Sequence, residues 1–161
     1  MDDQIDLIPV NELMQAAQRP EVITAMGGFY DYLDGRIASY QPKCTNRGFC
    51  CKFGEFGHRL YVTALEACYY LDGEYEHLPI KADACPLAYN YVCNARDHRP
   101  MGCRIFFCDG DVDKWQGALT EECLGHLRDM HNKFGLSYFY MDWMHILKAI
   151  ERHGLTASDK D

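Results

Sequence analysis

Two long stretches of this chain, residues 42–57 and 74–110, carry no sustained hydrophobic period, and seven of its nine cysteines fall within them. A loop longer than about 12–15 residues with no secondary structure is uncommon in a compact domain, so something else must organise these stretches. Cys44, Cys50 and Cys51 lie in the first, and Cys85, Cys93, Cys103 and Cys108 in the second. Thiolates on irregular backbone can approach one ion from several directions, and four satisfy tetrahedral zinc or a cubane iron–sulfur cluster. These seven sulfurs are the candidate metal ligands. Seven exceeds one four-ligand site, so the set contains either bystanders or two centres.

The rest of the chain defines the setting. At 161 residues it is long enough for one ordinary core and short for two, so a single domain over 1–161 is expected. Its apolar runs are far shorter than the roughly 20 residues needed to span a bilayer, so no membrane partner is expected. The opening MDDQIDLIPV is acidic where a secretory signal would be basic, and a cytoplasmic location follows as the expectation. In that reducing compartment disulfides are rare, and an odd number of cysteines suits metal binding better than a disulfide framework. Formal charge is −5 over 1–42, +1 over 43–108 and −4 over 109–161. This distribution lacks the basic surplus of a nucleic-acid binder, and its bases concentrate where metal-bound thiolates would add negative charge. Lys43, Arg47, Lys52, Arg96, Arg99 and Arg104 are placed to offset it.

Helical patterns flank the cysteines. In the N-terminal part, 1–42, Asn11 can cap a short helix to Arg19, and Pro20 suits the first turn of the next. Val22, Met26, Phe29, Leu33, Ile37 and Tyr40 then recur at helical spacing, although Gly27 and Gly28 cost about 2 kcal/mol relative to alanine. Thr63-Ala64-Leu65-Glu66 reads as a capping box opening a helix to about Leu71, which Asp72-Gly73 ends. After the Cys-rich region 43–110, the segment 111–155 is helical again. Trp115, Leu119, Cys123, Leu127, Met130 and Phe134 form one stripe stopped by Gly135. Ser137 is the expected cap of a last helix with Tyr140, Met144, Leu147 and Ile150 on one face, and the polar tail 156–161 is expected to fray. The fold class expected is mainly α: a small helical domain with two irregular Cys-rich loops organised around a metal centre.

Cys50 and Cys51 are adjacent and point to opposite sides of an extended backbone, so they are awkward ligands for one ion. None of the loop cysteines has C-x2-C spacing, which leaves the zinc-finger class unassigned. The segments Cys44-Thr-Asn-Arg-Gly-Phe-Cys50-Cys51, Val62-Thr63-Ala64-Leu65-Glu66-Ala67, Cys85-Pro86-Leu87 with Cys93, and Arg99-Pro100-Met101-Gly102-Cys103-Arg104-Ile105-Phe106 resemble, in that order, the YkgJ-type cysteine-cluster family. The resemblance covers about residues 44–108 and implies a zinc- or iron-chelating domain. A similar module in flagellin lysine N-methylases implicates an iron–sulfur cluster, here of 4Fe–4S type. Many members carry a cysteine where this chain has Arg47.

Cys68 and Cys123 lie on helical stripes and read as buried structural thiols. His58 and His98 border the cysteine loops and are minor ligand candidates; His126, His131 and His145 read as surface or helix-flank residues. No G-x-G-x-x-G, Walker A, G-x-S-x-G or H-E-x-x-H motif is present. The function expected is metal binding in a redox or accessory role, with a protein partner left open. Two alternatives stand beside it. One is a small enzyme or enzyme subunit modifying protein side chains as the methylases do. The other is a thiol oxidoreductase, which the missing C-x-x-C disfavours.

Overall fold

A computed structural model describes residues 5–40, 59–75, 85, 87–89, 92–93, 95–105 and 113–154. The architecture is mainly α. Helix α1 (Val10–Ala17) turns at Gln18 and Arg19 into α2 (Pro20–Ser39), with Pro20 at the start, where a missing N–H costs nothing. α1 begins before Asn11, because the Pro9 carbonyl already accepts the Leu13 N–H at 3.0 Å; Asn11 lies inside the helix and is not its cap. α2 tolerates both glycines. Gly27 looks toward the Tyr69 hydroxyl and Gly28 has open space around it, while the apolar stripe from Val22 to Ile37 is buried.

Two strands each run directly into a helix. β1 (Tyr61–Thr63) leads to α3 (Ala64–Asp72), and farther on β4 (Tyr140–Asp142) leads to α6 (Trp143–Arg152). The strands pair antiparallel, Tyr61 opposite Asp142 and Thr63 opposite Tyr140. Thr63 closes its strand and caps its helix, and Asp142 does the same, its carboxylate accepting the Met144 N–H at 2.9 Å. Ser137 is therefore not the cap of the last helix, and Tyr140 is an exposed strand residue. The ladder to β1 outbids an earlier helix start, and Tyr140 stands beside Tyr61 with ring centroids 5.6 Å apart.

Between the strands lie a hairpin of β2 (Ala88–Tyr89) and β3 (Val92–Cys93), a 3-10 turn at Arg96–His98, and the short helix α4 (Met101–Ile105). Residues 74–110, read from sequence as aperiodic, thus contain local structure too short to show a period. The long helix α5 (Asp113–Phe134) follows and stops at Gly135, whose φ of +68° suits glycine.

Two apolar clusters form the interior. The first joins Val10, Leu13 and Ala16 of α1 to Val62, to Ala67, Cys68 and Tyr70 of α3, and to Trp143, Ile146, Leu147 and Ile150 of α6. The second joins the α2 stripe to Met101 and Ile105 of α4 and to Leu119, Cys123 and Leu127 of α5, with Leu65 of α3 inserted. Helix α3 serves both, so six of its nine residues are buried.

That burial makes the start of α3 demanding, since its first N–H groups have no intrahelical acceptor. Thr63 Oγ1 takes the Glu66 N–H, and His131 Nε2 takes the Leu65 N–H at 3.1 Å. His131 is thus buried at 1% exposure and is not the helix-flank residue its position suggested. Its Nδ1–H donates to the Leu127 carbonyl at 2.6 Å, so Nε2 can accept only while the ring is neutral. Burial accordingly lowers its pKa, against the opposing pull of the Leu127 carbonyl.

The sign follows from linkage. The unfolded chain protonates His131 near pH 6.5, whereas the folded chain resists protonation until a lower pH. The His131 contribution is complete above about pH 6.5 and is lost as pH falls from there toward the lowered folded value. The stability gap between wild type and His131→Gln, from urea unfolding at several pH values, should be widest at pH 7–8, roughly 1–2 kcal/mol, and shrink across that window.

Candidate metal centre

Of the seven predicted sulfur ligands, Cys44, Cys50, Cys51 and Cys108 lie outside the described residues, as does His58. Cys93 ends β3 opposite Ala88. Cys85 is buried as part of the first apolar cluster. Cys103 sits on α4 and is partly exposed. Cys68 and Cys123 are fully buried, as expected for structural thiols. Burial pushes the first up to about 12 and the second up to about 11, so both remain protonated and inert at neutral pH. Among the described residues no group of three or more His, Cys, Asp or Glu side chains could hold a metal ion.

What the described residues do show is how Cys103 is held. A five-residue helix has too few internal hydrogen bonds to stand alone, and α4 is fastened at both ends. At its start the Met101 N–H donates to Glu66 Oε1, a carboxylate with no solvent exposure. The same carboxylate accepts the Thr63 N–H at 2.9 Å and the Thr63 hydroxyl at 3.0 Å through Oε2, and the Tyr30 hydroxyl at 3.3 Å through Oε1. Burial pushes the Glu66 carboxyl above its ordinary value even though these donors pull the other way. The Tyr30 phenol is pushed well up as well, first by burial and then by the Glu66 charge, and stays a donor.

At the other end of α4, Arg104 is 6% exposed and spans three partners. Its guanidinium donates to Asp34 at 2.9 Å and to the carbonyls of Arg99 and Asp97, each at 2.8 Å, while lying 3.9 Å from the centre of the Tyr30 ring. Sequence reasoning placed this base as an offset to thiolate charge. The structure commits it to one carboxylate and two carbonyls.

Residues bordering the undescribed cysteines touch α4 or α5, the helix bonded to it. Tyr40, before segment 41–58, stacks on Trp115 at 4.5 Å, and the next residue of α5, Gln116, donates to the Ile105 carbonyl at the end of α4 at 2.6 Å. Leu60, just after that segment, packs where a β-carbon on Gly102 would stand. α4 ends at Ile105, the residue before segment 106–112. Leu60 and Ile105, which border the stretches carrying Cys44, Cys50, Cys51 and Cys108, thus lie against or within α4, the helix that carries Cys103.

No family model, curated protein or solved structure matches this chain.

Replacing Glu66 tests the fastening. Glu66→Ala leaves the Met101 and Thr63 N–H groups and the Tyr30 hydroxyl buried without an acceptor, and should cost roughly 3–5 kcal/mol in urea unfolding. Glu66→Gln, which keeps one acceptor oxygen, should cost less. In a metal-free native sample, iodoacetamide should modify the accessible Cys103 while Cys68 and Cys123 react only after denaturation, as read by peptide mass spectrometry.

Proposed function

We propose that this chain holds an inorganic centre through thiolates drawn from Cys44, Cys50, Cys51, Cys85, Cys93, Cys103 and Cys108, and that the centre is an iron–sulfur cluster in preference to zinc. The observation that carries the reading is the placement of Cys103. It is the partly exposed thiol on a short helix pinned by Glu66 and Arg104; Leu60, bordering segment 41–58, packs on that helix, and Ile105, bordering segment 106–112, ends it. A rigidly mounted thiol near segments that carry further thiols suits a multi-thiolate site. The donor chemistry fits either ion, since soft sulfur ligands suit both zinc and iron–sulfur clusters. A bound cluster would supply one-electron redox capacity, and the role proposed for the chain is accordingly redox or accessory. Keeping such thiolates reduced requires a reducing compartment, which matches the cytoplasmic placement proposed for the chain. None of the described helices is long and apolar enough to cross a membrane.

Anaerobic purification with metal and labile-sulfide analysis tests this. The expected result is a brown protein with a broad visible band, iron and acid-labile sulfide, both lost in Cys103→Ser while the helical circular-dichroism signal persists. A colourless protein with stoichiometric zinc overturns the preference for iron. One that takes up neither metal after reconstitution overturns the proposal.

A further inference from the structure

Two titratable side chains grip consecutive residues at the start of α3. His131 Nε2 accepts the Leu65 N–H at 3.1 Å, and the side chain of the next residue, Glu66, binds the Thr63 and Met101 N–H groups. The first grip comes from the far end of α5 and the second moors α4, the helix of Cys103. A change at one is felt at the other, because the two fastenings sit on neighbouring residues of one helical turn.

The His131 grip works in a single protonation state. Nδ1–H is committed to the Leu127 carbonyl at 2.6 Å, so the Nε2 lone pair is the acceptor. A second proton would set an N–H against the Leu65 N–H, donor facing donor, and a positive charge against the positive end of the α3 dipole. The surroundings offer that charge little relief. Tyr138, from the segment after α5, meets the ring edge-on at 4.9 Å, and the Arg128 guanidinium lies 5.6 Å from the centre of the same tyrosine, a like charge. Glu12 of α1 is occupied by the Ser137 N–H. From α3 comes the opposite charge of Glu66, whose oxygens are already bonded to Thr63, Tyr30 and Met101. An imidazolium drawn to that carboxylate would compete with the donors that fix α4. The other way out is past Tyr138, which is 40% exposed and covers the ring.

We propose that protonation of His131 is a switch on the mooring of α4: the imidazolium lets go of Leu65, the first turn of α3 shifts, and Glu66 loses its hold on Met101, freeing the helix that carries Cys103. This device governs a thiol assigned to the proposed centre and rests on that assignment only for the thiol's use. Release belongs below about pH 6.5, the unfolded value, since burial holds the folded ring neutral to a lower pH.

Amide hydrogen exchange on the full chain as purified, read by mass spectrometry from about pH 7.5 down to about pH 4.5, tests this against His131→Gln, whose side-chain oxygen accepts at every pH. Comparing the two chains at equal pH cancels the intrinsic acid dependence of exchange. Peptides covering 101–105 should exchange at similar rates in both at the upper end and about tenfold or more faster in wild type at the acid end, while 143–152 stays protected in both. Histidine ring NMR of the wild type gives the His131 protonation midpoint, which the release of 101–105 should share. If His131→Gln does not fold, that coincidence carries the test. An equal acid response in wild type and variant, a release midpoint apart from that of the ring, or loss of protection in 143–152 together with 101–105 would each overturn the proposal.

Discussion

A carboxylate without solvent contact would ordinarily be a liability, and Glu66 is tolerable because four donors from three parts of the chain converge on it. Thr63 belongs to its own helix start, Tyr30 to α2, and Met101 to the beginning of α4. Removing water from a charged acceptor raises the stakes of every hydrogen bond it makes, so each donor is held to a narrow position. Glu66 fixes the start of α4 relative to α3 and α2, as the Arg104–Asp34 pair fixes its end. Its placement in turn decides where Cys103 and Arg104 project.

The layout around Glu66 also explains why α3 can be so deeply buried. A helix start in an apolar interior exposes N–H groups that nothing in the helix can satisfy. Here Thr63 serves one of them and the neutral imidazole of His131, from the far end of α5, serves another. α3 can then lend side chains to both apolar clusters, with Leu65 in one and Ala67, Cys68 and Tyr70 in the other. The two strand-to-helix junctions, at Thr63 and Asp142, stand at opposite ends of a three-residue antiparallel ladder that ties the starts of α3 and α6 to one sheet.

Much of this was legible in the residues because it is local or periodic. The α2 and α5 stripes, the Thr63–Glu66 box and the Gly135 stop depend on neighbours within a turn or two, and each stands where its spacing put it. The burial of Cys68 and Cys123 was readable for the same reason. What escaped was set by partners remote in sequence. Nothing near His131 announces that its ring receives an N–H from residue 65, and nothing near Glu66 announces Met101 as a third client. Tyr140 carries an apolar spacing compatible with a helix, and only the ladder to β1 makes it a strand residue. α4 and the β2–β3 hairpin are shorter than any period that could reveal them. For the candidate metal site, the chain order of the cysteines was readable and the pinning of Cys103 was not, since it depends on Asp34, Tyr30 and Glu66.

Arg104 has one further consequence. Its guanidinium grips the carbonyls of Asp97 and Arg99, the residues on either side of His98, and its backbone adjoins Cys103. The thiol and the imidazole are thereby mounted on one strut braced against Asp34, so the spacing between them is a mechanical property of the scaffold. A shift of α4, whatever its origin, pulls on the peptide that carries His98, and the two ends of this segment move in series.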